Sequence, residues 1–163
     1  MRAHSIRLML IIVTLTLASS SFMGQAMSNA YGPPITINNA KKAAAAAVAE
    51  ARKNNWFMAI SVVDTAGNQV YFERMDGVQT GSLTVAVDKA RSAALFKRPT
   101  KVFQDGVAAG GAGLRFLGLP GAIPVEGGIP LLVDGKIVGA IGASGGTSEQ
   151  DAQCAKAGAD TLK

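Results

Sequence analysis

Residues 129–143, IPLLVDGKIVGAIGA, constrain the fold more than any other stretch of the chain. Two β-rich runs meet there at Asp134-Gly135. A two-residue Asp-Gly loop takes positive φ at both positions, which matches the twist of a tight antiparallel hairpin. Residues 57–75, FMAISVVDTAGNQVYFERM, repeat the pattern, with Asp64-Thr65-Ala66-Gly67-Asn68 as the turn and Gly67 able to take positive φ. Two hairpins supply four strands. Their geometry points to an antiparallel sheet and away from the parallel sheet of a doubly wound α/β protein.

The segments around the hairpins read as helices. ITINNAKKAAAAAVAEARKNN (35–55) opens near Thr36 or Asn38 and carries alanine through its interior. Alanine favours helix but has little side chain to bury, so this helix must lie close against a flat partner such as a sheet. In TGSLTVAVDKARSAALFKR (80–98), Leu83, Ala86, Val87, Ala90 and Ala94 recur at helical spacing, with Asp88, Arg91 and Ser92 on the opposite side. Pro99 ends that helix or restarts it as a short one. Thr147 and Gln150 have capping-box spacing and open the last helix. The predicted order is αββα(α)ββα, with GAIPV (121–125) as a candidate further strand. The class is α+β, an antiparallel sheet covered by helices. From Gly106 to Gly128 the chain holds eight glycines and two prolines in 23 residues, too irregular for a passive connection. Such a segment is expected to be functional or to lie at an interface.

Residues 1–26 read as a cleaved signal segment and 27–163 as one domain. Arg2, His4 and Arg7 precede the apolar run LMLIIVTLTLA, and Gly24 and Ala26 supply small residues before a cut after Ala26. The run is short of the roughly 20 residues of a membrane span. The expectation is a secreted or periplasmic protein with no membrane span after processing. Cleavage removes His4, the sole histidine, and leaves one cysteine, Cys154, so no intramolecular disulfide can form. It also takes Arg2 and Arg7, lowering 16 basic side chains to 14 against 11 acidic ones, a net +3 in place of +5. Charges of both signs are interspersed, which argues against a nucleic-acid partner. Small residues in the helices and the glycine-rich stretch bury little area alone, so a homo-oligomer is expected.

The histidine inventory decides the reading of Gly142-Ala143-Ser144-Gly145-Gly146, a match to the hydrolase G-x-S-x-G elbow. Ser144 has no histidine base in the mature chain, so no catalytic residue is assigned. Two readings of the turn stay open. Ser144 and Gly145 form a capped helix entry, or their N–H groups receive a carboxylate or phosphate of a ligand. Zinc chemistry has no support, with Cys154 alone of the usual ligands. Arg74, Lys89, Arg91, Lys97, Arg98 and Lys101 form a basic set; Arg74 and Lys89 are the candidates for an anionic group, beside Met75. An alternative reading is an enzyme acting on a small organic acid, with Asp64, Asp76 or Asp151 as acid or base and Arg74 or Lys89 holding the carboxylate. A third is an accessory or assembly module without a ligand of its own.

In order and spacing, AISVVDTAGNQVYFERMDG (59–77), AVDKARSAALFKRPT (86–100), VEGGIPLLVDGKIVGAIGASGG (125–146) and TSEQDAQCAKAG (147–158) resemble the GlcG/HbpS-like family. That family includes a haem-binding secreted protein and the carboxy-terminal domain of PduO-type proteins. The resemblance covers roughly residues 35–160. It implies a profilin-like α+β fold with a central antiparallel sheet of about five strands, and assembly into homo-oligomers, often octamers. It also implies binding of haem or a related tetrapyrrole; some members are described as haem-degrading. With no histidine in the mature chain, any axial contact to haem iron would come from Met, Tyr, Cys, Lys or a hydroxyl, and Met75, Tyr71 and Met58 are the candidates near the first hairpin.

Overall fold

The computed structural model describes residues 27–162. The signal segment expected at 1–26 lies outside these residues. Helix α1 (Ile37–Lys53) leads into strands β1 (Ala59–Asp64) and β2 (Gln69–Arg74), followed by helices α2 (Gly81–Phe96) and α3 (Lys101–Ala108). A 3-10 segment (Gly111–Gly118), strands β3 (Gly128–Val133) and β4 (Lys136–Ser144), and helix α4 (Ser148–Ala159) complete the chain. The fold is α+β, as expected.

The local signals act where the sequence places them. Gly67 takes φ 82° in the first turn, and Asp134 and Gly135 take φ 50° and 70° in the second. Thr36 caps α1, its hydroxyl accepting from the N–H of Asn39. Thr147 and Gln150 form a reciprocal capping box at α4. Lys97 closes α2 in the left-handed region, and α3 begins just after Pro99.

The sheet has four strands in the order β2-β1-β4-β3, all neighbours antiparallel. The expectation of about five strands is therefore corrected. GAIPV forms no strand. Pro124 has no N–H to give a ladder, and Gly121 sits at φ 81° in a turn, so the stretch runs as irregular chain tied to α2, the N–H of Ile123 donating to the Ser92 hydroxyl at 3.1 Å.

Central strands β1 and β4 are buried on both faces. On one face Ile60, Val62, Leu131, Ile141 and Ala143 pack with the alanines of α1 and with Cys154 and Ala155 of α4. On the other, Val63 and Ala140 meet Ala90, Ala93 and Ala94 of α2. The alanines allow the close approach expected of them, and glycines on the facing elements complete it. A Cβ on Gly142 of β4 would lie 2.2 Å from the carbonyl oxygen of Ala86 and 2.6 Å from the nitrogen of Ala90. A Cβ on Gly158 of α4 would lie 2.6 Å from the carbonyl oxygen of Ala43 in α1. Helix backbone rests nearly directly on its neighbours here, and packing density replaces side-chain bulk.

Candidate functional site

The glycine turn after β4 does receive a carboxylate, and the carboxylate is the chain's own. Asp151, in the first turn of α4, accepts a hydrogen bond from the N–H of Gly146 at 3.0 Å. Its other oxygen takes the Lys89 ammonium at 2.6 Å. Lys89 also donates to the carbonyl oxygen of Ala143 at 3.2 Å. The two side chains are 1% and 4% exposed. Burial pushes the Asp151 carboxyl above its ordinary value, against the opposing pull of Lys89 and the turn amides. Gly127 covers the pair so closely that a Cβ there would stand 2.9 Å from the Lys89 nitrogen. Lys89, Ser144, Gly145 and Asp151 are thus brought together, but around an internal ion pair that ties α2, β4 and α4. Ser144 ends β4 opposite Ala59 and is 5% exposed. Gly145 is held against the carbonyl oxygen of Phe57, 2.0 Å from where a Cβ would stand.

The candidates near the first hairpin separate onto the two faces of the sheet. Tyr71 and Glu73 pair with Val62 and Ile60, whereas Phe72 and Arg74 pair with Ser61 and Ala59. The Tyr71 hydroxyl donates to Glu73 at 3.2 Å, and its ring packs on the α1 side of the core together with Met75. Met58 is wholly buried in that core. Arg74 and Met75 line a hollow of about 260 Å³ with Arg52, Phe57, Glu73 and Asp76. Asp64 caps its own turn. Partial desolvation opposes its ionisation, but donors from Asn68, Ala66 and Gly67 outweigh it and hold the carboxyl below its ordinary value. Burial raises the Cys154 thiol to about 12. The carboxyls raised by burial, Asp151 and Glu126, line neither this hollow nor the clefts beside α3 and between β2 and α2.

The largest of these clefts, about 520 Å³, lies between α3 and the 3-10 segment. Its size is typical of small-ligand sites, about 300–1,000 Å³. Glycine contacts build it. A Cβ on Gly113 would fall 1.8 Å from the carbonyl oxygen of Gly106, and one on Gly106 would fall 2.5 Å from the Phe116 ring. Phe116 meets Phe103 edge to face at 5.2 Å, and Phe103 meets Phe96 likewise at 5.4 Å. Val102, Ala109 and Ala112 add apolar wall, and Arg98 and Arg115 add two guanidinium groups. Arg98 donates to the carbonyl oxygen of Phe96 at 3.0 Å and sits 5.6 Å from the Phe103 ring centroid. Asp105, also at the wall, pairs with Lys101 at 2.8 Å. The shallow third cleft, between β2 and α2, is lined by Phe72, Leu83, Val87, Asp88 and Arg91 among others.

Arg115 and Phe116 were not singled out from the sequence, and Arg98 was only one of six basic residues. The glycine-rich run flagged the segment. Leu114-Arg115-Phe116 embedded in that run is the signal that could have located the cleft. Among the described residues no group of three histidine, cysteine or acidic side chains converges as a metal site. No described helix is long and apolar enough to cross a membrane.

Comparison with known proteins agrees with this architecture. The family profile described as "Haem degrading protein HbpS-like" matches residues 35–160. An uncharacterized 15.0 kDa protein from the dhaT-dhaS intergenic region of Citrobacter freundii is 36% identical over 128 residues, covering 77% of this chain and 90% of that protein. Protein ORFY of Klebsiella pneumoniae superposes with TM-score 0.72 at 32% identity, covering 82% of this chain and 94% of that one. PduOC, solved as a complex with haem, superposes with TM-score 0.71 at 26% identity, covering 80% and 96%. The match of profile, sequence and fold, the profile spanning residues 35–160, places the chain in the HbpS-like family.

Proposed function

We propose that the protein binds a planar, apolar, anionic ligand of the haem class, a tetrapyrrole, in the cleft between α3 and the 3-10 segment. The observation that carries this reading is the pairing of an apolar wall with two guanidinium groups, Arg98 and Arg115, in a cleft of about 520 Å³. The ring is buried against Val102, Ala109 and Phe116, and the carboxylates of its edge meet the arginines. PduOC, whose structure holds haem, is a relative of similar fold. The hollow at Arg74 and Met75 suits this ligand less. It is half the size, and its guanidinium groups, Arg52 and Arg74, are offset by Glu73 and Asp76 in the same wall, whereas the larger cleft sets one carboxylate, Asp105, already paired with Lys101, against Arg98 and Arg115.

Titration of haemin into the purified protein, followed in the Soret region, tests the proposal. Saturable binding is expected. A charge-assisted hydrogen bond contributes about 1.5–3 kcal/mol, so Arg115→Ala weakens binding by roughly one to two orders of magnitude, while Arg74→Ala leaves it within about twofold. The absence of any saturable change would reject the reading.

Export and self-association belong to the same proposal. The pattern of residues 1–26 supports secretion or residence in the periplasm, and an intact mass beginning at Met27 is expected. Leu114 and Leu117, exposed at 50% and 65% in the 3-10 segment, support assembly into a homo-oligomer. Light scattering at micromolar concentration reads the subunit number.

A further inference from the structure

The cleft fits the ring of haem and not its iron. Haem iron is held by histidine, cysteine, methionine or tyrosine, and none of these lines the cleft. Valine, alanine, glycine and phenylalanine side chains have no lone pair to give. The two guanidinium groups are permanently protonated and are donors only. The one oxygen ligand at the wall, Asp105, is paired with the Lys101 ammonium. Among the described residues, Met27 lies outside the cleft lining, its N–H donating to the carbonyl oxygen of Lys97 at 2.7 Å, and the other side chains of these types are engaged elsewhere. Met58 and Cys154 are wholly buried in the core on the α1 and α4 side, and Tyr71 and Met75 pack against the same core. Tyr31 donates its hydroxyl to the carbonyl oxygen of Ala94 at 2.8 Å.

We infer that the cleft recognises the tetrapyrrole macrocycle and its carboxylates without regard to the metal, so that an iron-free porphyrin dicarboxylate is as good a ligand as haem. The inference rests on the proposed function and deepens it. The ring contributes burial against the Phe116 and Val102 wall, and the carboxylates contribute the pairs with Arg98 and Arg115. Neither set of contacts changes when the iron is absent.

The test compares protoporphyrin IX, haemin and protoporphyrin IX dimethyl ester as ligands of the purified protein, read by quenching of protein fluorescence and by absorption. Protoporphyrin IX and haemin are expected to bind with dissociation constants within about threefold of each other. The dimethyl ester, which cannot pair with the arginines, is expected to bind at least tenfold more weakly. Ala109→Trp, which fills the cleft from the exposed end of α3, should abolish binding of both acids while the thermal transition is kept. Haemin binding tenfold or more tightly than protoporphyrin IX, or with a low-spin spectrum of two strong axial ligands, would overturn the inference and leave the proposed function standing. Equal binding that survives Ala109→Trp would move the site out of the cleft and overturn both the inference and the placement it rests on. Binding of neither acid would overturn the proposed function itself.

Discussion

Replacing Lys89 by methionine should unfold the protein at markedly lower temperature, because the lysine neutralises a carboxylate that has almost no access to water. The Lys89–Asp151 contact is 2.6 Å with both side chains essentially buried. In Lys89→Met the Asp151 carboxylate keeps only the turn amides as partners, the N–H of Gly146 at 3.0 Å among them. Removing one member of a buried pair costs about 3–5 kcal/mol, which for a domain of this size lowers Tm by roughly 10–20 °C. Asp151→Asn in the Lys89→Met background keeps an acceptor for Gly146 but removes the orphaned charge, so the double variant should recover a large part of the loss. The pH dependence has a definite sign. The folded-state carboxyl of Asp151 lies above its ordinary value of 3.8, and losing Lys89 raises it further. A raised carboxyl favours the folded state fully below its unfolded value and loses that advantage as pH rises through its folded value. The deficit of Lys89→Met relative to the parent should therefore shrink as pH falls from 7 toward 4. Urea unfolding of the four proteins of the cycle at several pH values measures all of this. A loss below about 1 kcal/mol, additive single effects, or a deficit independent of pH would refute the reasoning.

Four further outcomes are expected. Cys154, with its thiol raised to about 12, is thiolate in roughly one molecule in ten thousand at pH 8; Ellman's reagent should react only after denaturation, and rapid labelling of native protein would contradict the burial. Ser61 carries the one buried side-chain oxygen without a hydrogen-bond partner among the described residues. Its unsatisfied hydroxyl is a net cost, so Ser61→Ala should raise stability by about 1 kcal/mol in urea melts. Gly142→Ala should destabilise by about 2–3 kcal/mol, because its Cβ would stand 2.2 Å from helix backbone. Gly81→Ala, with nothing within 4 Å at the start of α2, should stabilise by about 0.5–1 kcal/mol in the same assay.

Hairpins and helix ends were legible because their determinants are local. Asp134-Gly135 needs only its own backbone to turn, and Thr147 finds its partner Gln150 three residues away. Pairings across the fold were not legible in the same way. Lys89 and Asp151 are far apart in the chain, and each alone reads as a charged residue on a helix, available to a ligand. Their distance in space depends on how α2 and α4 dock against the ends of β3 and β4, which no short pattern encodes. The glycine turn illustrates the same gap. An anion-receiving turn could be read at Ser144 and Gly145, but not that Asp151 would supply the anion. The cleft required knowing that Gly113 nests on Gly106, a contact between two residues that look equally permissive in the sequence. The order of the strands had no local signal either, since either edge of each hairpin could have been the inner one.

That order carries a consequence for how the chain finds its structure. Each hairpin closes over a handful of residues, but the β1–β4 ladder that joins them pairs Asp64 with Gly139, closing a loop of about 75 residues at an entropic cost roughly 2–3 kcal/mol greater. Helices α2 and α3 lie inside that loop, and α2 must seat on β4 at backbone contact distance as the ladder forms. Joining of the two hairpins is therefore expected to be the slow event of folding; changes at Gly142 should act on the rate of folding, whereas changes in the Asp64–Asn68 turn should act chiefly on its local stability.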